Sequence, residues 1–395
     1  MNSQRKFGAL ALAALLVLAL APDADAQRRR ARREPAPPPP PAVAQHVTIM
    51  DGASGAILSC QDCETPVPPA SMAKLMTVLI ALERLQAGQI TLDTQFTMTD
   101  DLWTRNRGSA GSTVFIPARA SVSVRDLLQG IIIVSANDGS ALLATGIAGS
   151  EEAFVAIMNQ RAQELDLRSA RFRNVAGLDD PEQRISTADL ARLARHIILT
   201  YPEFYRTYSQ REFTFNNITQ RNRNPLLGAY DGADGVKTGH TDDSGFGLIG
   251  SAVQNGQRRI IVFNGLPTMA ARNSEAQRLM RAAFNDFAIA QIAAAGEEVG
   301  EARVRLGGRR TVPLLAQHDI TIGGPRGVQE GLTAHIVYRG PLPAPIAEGD
   351  VVAQLVVEGP GFQTQSFPLV AGRRVGRANW FSRAFEGLRL TLFGP

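Results

Sequence analysis

Apolar positions alternate with turn residues early in the foldable chain. Val47 to Ile49 and Ala56 to Leu58 flank Asp51-Gly52-Ala53-Ser54-Gly55, a pattern that predicts a β-hairpin. Beyond Pro66, Pro68 and Pro69 the period lengthens to that of a helix, which begins near Ser71 and carries Leu75, Met76, Leu79, Ile80 and Leu82 on its apolar side. Further helices are predicted around Val124 to Val134, Asp138 to Ile147, Glu151 to Leu165 and Thr187 to Leu199. Strands then return at Phe246 to Val253 and Arg259 to Asn264, joined through Asn255-Gly256, a pair that tolerates the positive φ of a two-residue hairpin turn. A last helix is predicted from Ser274 to about Ala294. Strands at both ends of a mostly helical middle indicate an α/β (α+β) fold: an antiparallel sheet covered by helices, with the ends of the segment brought together in the sheet.

From Val304 to Val370 the pattern changes to short β-rich pieces, Ala334 to Tyr338, Val351 to Val357 and Gln363 to Leu369, punctuated by Gly and Pro; this predicts a small all-β module. In the last segment Trp380, Phe381, Ala384, Phe385, Leu388 and Leu392 share an arc of about 140° at helical spacing, with Arg383, Glu386 and Arg389 outside it. Leu390 and Phe393 fall off that arc. The pattern predicts an amphipathic helix on a membrane surface, with docking onto the β module as the alternative.

At the other end Arg5 and Lys6 precede an apolar run from Phe7 to Ala21, short for a bilayer span, and Ala24-Asp25-Ala26 puts small residues around a cleavage point. Export with loss of about the first 26 residues is expected, an uncleaved anchor being the alternative. The stretch from Gln27 to Ala44, arginine-rich and then proline-rich, reads as a linker. The chain thus divides into a signal peptide (1–26), a linker (27–44), a large domain (45–298), a small β-rich domain (299–372) and an anchoring helix (373–395).

Charge changes this picture only at the N-terminus. The chain has 41 Lys+Arg and 37 Asp+Glu, but residues 1–34 hold seven of the basic and three of the acidic groups, leaving 34 of each. A neutral folded part speaks against nucleic acid as a partner, and the basic linker either touches an anionic surface or touches nothing in particular. Cys60 and Cys63, three apart in an exported chain, suggest a local disulfide closing a turn. The five histidines are scattered singly, which argues against a metal site.

After Lys6 only two lysines remain, Lys74 and Lys237, against dozens of arginines. Arginine keeps its proton, whereas a partly buried lysine is readily tuned into a general base and also serves as a compact point charge for a carboxylate. Each lysine lies in a short cluster. In Ser71-Met72-Ala73-Lys74 a helical start puts residues three apart on one face, so a neutral lysine amine can take the serine proton. Ser135-Ala136-Asn137 follows the apolar run Ile131-Ile132-Ile133-Val134; a buried hydroxyl there can relay protons and an amide can hold a peptide group. In Lys237-Thr238-Gly239 a cation and a hydroxyl suit a free carboxylate, while glycine lets a substrate lie against a strand edge.

Taken in order, the three clusters resemble the signature motifs of β-lactamases and penicillin-binding proteins. The stretches Pro68 to Thr77, Ser135-Ala136-Asn137-Asp138 and Asp234 to Thr241 look like the blocks of the low-molecular-mass penicillin-binding proteins that are D-alanyl-D-alanine carboxypeptidases, and Asn174 to Asp180 and Ser186-Thr187-Ala188 are similar to further blocks. The likeness runs from about Val47 to Phe287 and more loosely through the β module and tail. It implies a β-lactamase/transpeptidase-like domain in which Ser71 attacks the carbonyl between two terminal D-alanines of a peptidoglycan stem peptide, forming an acyl-enzyme that water hydrolyses. Lys74 would be the base. Ser135 and Asn137 would complete the proton relay and position the peptide, and Lys237 and Thr238 would bind the terminal carboxylate. The N–H groups of Ser71 and His240 would form the oxyanion hole, a type of donor worth roughly 3 kcal/mol each. Arg272 matches an arginine near the carboxylate site, a helix-start salt bridge being its other reading. β-Lactam antibiotics should acylate the same serine, no cofactor is implied, and the protein would sit in the periplasm, attached to the outer face of the inner membrane.

Rival readings are a D,D-endopeptidase, which shares all three motifs, a β-lactamase, for which no convincing Glu-x-x-x-Asn motif follows the middle cluster, and an inert cell-wall binding protein. There is no Gly-x-Ser-x-Gly elbow of the α/β-hydrolase type. Oligomeric state is not legible.

Overall fold

A computed structural model describes residues 44–108, 111–327, 331–360 and 362–378. The expected signal peptide, the linker up to residue 43 and residues 379–395 of the expected anchoring helix lie outside the described residues. Its first residues, 373–378, are not helical: Val375 bridges to Ile346 and Arg377 to Gly307, so this stretch belongs to the β module because it finds strand partners there.

The predicted hairpin forms as β1 (His46–Asp51) and β2 (Ile57–Gln61), with Asp51 Oδ1 accepting from the Ser54 N–H and hydroxyl to shape the turn. A 3₁₀ turn, Ala70–Ala73, leads into α1 (Lys74–Gln86), whose residues from Lys74 to Leu82 are all buried. A short hairpin of β3 (Gln95–Thr97) and β4 (Ser121–Ser123) brackets α2 (Asp100–Asn106). Next come α3 (Val124–Gln129), a π turn over Gly130–Val134, α4 (Asn137–Ala148), α5 (Glu151–Glu164), α6 (Thr187–Thr200) and α7 (Pro202–Tyr205). The starts of five helices are fixed by side chains: Thr99, Ser123, Ser150, Ser186 and, further along, Thr268 each accept an N–H from three residues on. A second short hairpin, β5 (Glu212–Phe215) and β6 (Ile218–Arg221), precedes β7 (Ala233–Thr241), β8 (Gly245–Gln254), β9 (Gln257–Leu266) and α8 (Met269–Asn285).

The ends of this segment meet in one antiparallel sheet of order β2-β1-β9-β8-β7, as the pattern of strands and helices predicts. Strand alternation sorts its side chains between two layers. Val47, Ile49, Ile261 and Phe263 pack against Ala276, Leu279 and Met280 of α8, while Met50, Ile260 and Val262 join the core beneath α1, α3, α4 and α6. Within the sheet Asp51 and Arg259 form a buried ion pair, and Arg259 Nε also donates to Ala283 O at 3.1 Å, tying β9 to the end of α8. Cys60 and Cys63 are disulfide-bonded. The Cys63 carbonyl accepts from the Thr187 hydroxyl and the Ala188 N–H, docking this loop on the start of α6.

The helix expected to reach Ala294 stops at Asn285, and Phe287–Ala293 is a strand, β10. Phe-Ala-Ile-Ala-Gln-Ile-Ala fits either period, and two contacts from a distant segment decide the outcome. The Arg326 guanidinium donates to the carbonyls of Asn285, at 2.7 Å, and Phe284, at 3.0 Å, closing the helix end. The strand following α8 pairs with β13 (Ile320–Pro325). The all-β module therefore takes in residues ahead of the 298/299 boundary read from sequence. It continues with β11 (Glu298–Arg305), β12 (Thr311–Ala316), β14 (Thr333–Val337), β15 (Leu342–Pro343), β16 (Val351–Gly359) and β17 (Phe362–Ala371). Its main sheet has the order β14-β16-β17-β12-β11-β15, around a core that includes Ala302, Leu314, Leu355 and Leu369. β13 also lies on β2: a Cβ added to Gly323 would come within 2.2 Å of Leu58 Cδ2, so the two parts touch closely there and a larger residue would have to displace the Leu58 side chain.

Candidate active site

Ser71 lies in the 3₁₀ turn that feeds α1, after Ala70 with φ 46°. With three residues per turn, positions i and i+3 eclipse, so Lys74 stands directly beside Ser71. Its Nζ donates to Ser71 Oγ at 2.9 Å, Asn137 Oδ1 at 2.7 Å and the Ala176 carbonyl at 2.5 Å. The side chain is fully buried, and its pKa is pushed down to about 7, first by that burial and then by the charge of Arg223, with Asp138 pulling the other way. This is the range in which a lysine is a competent base.

The segment supplying the Ala176 carbonyl is built around Asn174, whose Oδ1 accepts from the N–H groups of Ala176, Gly177 and Leu178. Thr77 Oγ1 of α1 donates to Val175 O at 2.7 Å, and Gly177 rests on the Ala70 carbonyl. The loop and the nucleophile turn hold each other.

Ser135 ends the π turn in a left-handed conformation, φ 66°, which turns its hydroxyl back toward the sheet to accept from Lys237 Nζ at 2.8 Å. Two residues later Asn137 opens α4, and its N–H donates to Ser112 O. The neighbouring loop is clamped by Asp138, whose carboxylate accepts from the Thr113 hydroxyl and the N–H groups of Val114, Ile116 and Gly139. Asp138 is the carboxylate whose charge acts on Lys74, and its oxygens are taken up in holding this wall.

β7 carries the third cluster along the edge of the sheet. Lys237 is 3% exposed, and its pKa is well below the usual lysine range because of burial, then the charges of Lys74, Arg223 and Arg272. Thr238 follows it, nearly buried, its carbonyl accepting from Lys237 Nζ at 2.9 Å. Gly239 has a reason the sequence reading did not give. A Cβ there would lie 2.9 Å from Pro69 O and 3.1 Å from Met72 Cγ, so glycine is required for the strand to approach the nucleophile turn, whatever it offers a substrate. Beyond it His240 stacks on Phe246 with ring centroids 3.8 Å apart, and the Arg272 guanidinium lies over the same ring at 5.8 Å. Arg272 is 6% exposed, donates weakly to Asn273 Oδ1, and among the described residues has no carboxylate within ion-pair distance, so the salt-bridge reading does not hold.

The structure thus gathers all nine residues singled out in the sequence. It adds Arg223, which hydrogen-bonds to the Ser112 hydroxyl and acts electrostatically on both lysines and on Arg272. Nothing in the sequence marked it among so many arginines. The Ala176 carbonyl, a backbone group, carried no side-chain signal either. Lys74, Lys237, Arg223 and Arg272 form a cationic basin, and Asp138, the carboxylate whose charge acts on Lys74, is spent on structure, an environment that favours an anionic ligand.

Comparison with known proteins agrees with this geometry. The profile of the D-alanyl-D-alanine carboxypeptidase family matches residues 33–268, and that of the penicillin-binding protein 5 C-terminal domain matches residues 287–377. The chain is 37% identical over 358 residues to D-alanyl-D-alanine carboxypeptidase DacA of Haemophilus influenzae, covering 89% of this chain and 90% of that one. Penicillin-binding protein 5 of Haemophilus influenzae superposes with a TM-score of 0.73 at 36% identity, over 87% of this chain and 100% of that one. Penicillin-binding protein D2 of Listeria monocytogenes, solved in a cefotaxime-bound form, superposes with a TM-score of 0.58 at 28% identity, over 63% of this chain and 100% of that one. A serine–lysine pair on a 3₁₀ turn, a serine–lysine contact across to the sheet edge and these matches lead to one conclusion: the chain belongs to the D-alanyl-D-alanine carboxypeptidase family.

Proposed function

We propose that this serine D-alanyl-D-alanine carboxypeptidase removes the terminal D-alanine of a peptidoglycan stem peptide through an acyl-enzyme on Ser71. The observation that carries the assignment is the 2.9 Å contact between the Lys74 amine, with its pKa near 7, and the Ser71 hydroxyl. Neutral Lys74 takes the hydroxyl proton as Ser71 attacks the carbonyl carbon between the two D-alanines. The tetrahedral oxygen is received by the N–H groups of Ser71 and His240, which the close seating of Gly239 on Pro69 and Met72 supports. The proton taken by Lys74 passes on through Ser135 to the leaving amine as the C–N bond breaks, which returns Lys74 to its neutral form, and Asn137 keeps Lys74 aimed. Lys237, Thr238 and Arg272 receive the terminal carboxylate, the group that the cationic basin lacks. Water then hydrolyses the acyl-enzyme and restores Ser71.

A β-lactam presents a strained acyl group to the same serine, and the cefotaxime-bound relative supports its capture here. A periplasmic site of action, and attachment of residues 379–395 to the membrane surface, follow from the N-terminal and C-terminal sequence patterns.

The test is release of free D-alanine from a peptide ending in D-alanyl-D-alanine and from a cross-linked dimer, by the mature protein and by Ser71→Ala. Loss of terminal trimming in the variant, with the dimer untouched by both proteins, is expected. Cleavage of the dimer alone would make the protein an endopeptidase, and serine-independent release would remove Ser71 from the mechanism.

A further inference from the structure

The far end of the β module carries an unbalanced charge. The turn between β11 and β12 runs alongside the segment that leaves β17: Gly307 bridges to Arg377, Gly308 N–H donates to Gly376 O, Ala378 N–H to Leu306 O and Gly372 N–H to Pro313 O. This pairing brings Arg305, Arg309, Arg310, Arg374 and Arg377 to one end of the module, all of them exposed. Among the described residues none of the five forms an ion pair or a side-chain hydrogen bond. Elsewhere exposed arginines are commonly matched, as Arg105 is to Asp101, Arg119 to Asp100, Arg168 to Asp166 and Arg206 to Glu203. Glu348 and Asp350 lie on the loop joined to this segment through Ala371, where Asp350 is used by the Ala347 N–H at 2.7 Å, and Glu301 lies on β11 opposite Pro313. Half-buried Arg373 adds a sixth guanidinium, with an Nε that finds no partner.

We propose that this arginine-bearing end of the β module is a docking face for a bilayer surface of anionic phospholipid. Guanidinium groups bind phosphate oxygens with two parallel hydrogen bonds and are weakly hydrated, so unpaired arginines fit a layer of phosphate headgroups. The place where they gather favours that occupant over a soluble acidic protein. Residues 379–395 follow Ala378, and their sequence combines Trp380, Phe381, Phe385, Leu388 and Leu392 with Arg383 and Arg389. Apolar and aromatic residues directly beyond a cationic face match a headgroup layer with acyl chains beneath it. The inference builds on the proposed membrane attachment of residues 379–395, but assigns a second, electrostatic contact to the folded module.

The experiment measures partition of the chain from Gln27 to Pro395, and of a variant with Arg305, Arg309, Arg310, Arg374 and Arg377 all changed to Ala, onto vesicles of phosphatidylglycerol or of phosphatidylcholine at low and high salt. At about fivefold per arginine close to an anionic surface, the variant should lose at least tenfold on phosphatidylglycerol at low salt, less at high salt, and nothing on phosphatidylcholine. Its D-alanine release should be unchanged, which checks the fold. Equal binding of both proteins to phosphatidylglycerol, or equal losses on both lipids, would overturn the proposal. So would unchanged vesicle binding with reduced sedimentation on isolated peptidoglycan, which would assign the face to a wall polymer. Binding of the parent chain to phosphatidylglycerol but not phosphatidylcholine, lost in the variant, would sink the apolar attachment of residues 379–395 and leave the arginine face standing.

Discussion

Lys74 Nζ stands 2.9 Å from Ser71 Oγ with its pKa pushed down to about 7, so near neutral pH the amine is divided between a form that can accept the serine proton and one that cannot. Acylation should therefore rise with pH through about 7. Lys74→Arg keeps a cation but offers no lone pair, and should lower the acylation rate by roughly 10²–10⁴-fold while abolishing this rise. A fluorescent β-lactam mixed rapidly with each protein across the pH range measures both.

Lys237 is held well below the ordinary lysine pKa by burial and by its cationic neighbours. A bound carboxylate attracts the charged amine and offsets its cationic neighbours, raising that pKa, so binding should take up protons wherever Lys237 is neutral in the empty site. Titrating Ser71→Ala with a D-alanyl-D-alanine peptide in buffers of different ionisation enthalpy should show uptake, and a C-terminally amidated peptide should show much less. Proton release would place the carboxylate elsewhere.

Arg272→Met keeps much of the contact with Phe246 and removes the charge. A charge-assisted hydrogen bond of roughly 1.5–3 kcal/mol predicts about a 10–100-fold loss in kcat/KM for peptides with a free carboxylate. The amidated substrate, already poor, should lose little more. Similar losses on both would mean that Arg272 acts through packing.

Gly177 faces the Ala70 carbonyl, and a Cβ there would sit 1.9 Å from that oxygen, at a φ of +76° that glycine tolerates best. Gly177→Ala should displace either the nucleophile turn or the loop whose carbonyl holds Lys74, and kcat should fall at least tenfold even if the protein still melts cooperatively.

Asp51 and Arg259 are each 2% exposed. Asp51→Ala leaves a buried guanidinium without its carboxylate, for an expected loss of about 3–5 kcal/mol in urea unfolding, whereas the double variant Asp51→Leu/Arg259→Met should recover most of it. Equal instability of the double variant would show that the Arg259 contact with Ala283 O matters more than the charge.

Much of the site was legible because its parts are local. Ser71 and Lys74 are three residues apart on one turn, Ser135 and Asn137 bracket the start of a helix, and Lys237 to His240 lie along one strand, so short spacing already encodes their relations. The Asn255-Gly256 hairpin and the Ser and Thr helix caps read the same way, each set by neighbouring residues.

What the sequence alone determined was this inventory: two lysines among many arginines, three ordered clusters, and an alternation of strand and helix periods that fits one antiparallel sheet under helices. Tertiary structure decided the rest. Phe287–Ala293 became a strand because β13 offered it a pairing partner and Arg326 closed α8, contacts from a segment far along the chain that no local period records. Gly239 is fixed by the nucleophile turn packed against it, and the Ala176 carbonyl and Arg223 enter the site only through the fold. A pKa near 7 for Lys74 belongs to the same class, since desolvation and neighbouring charge depend on which distant residues close over the amine.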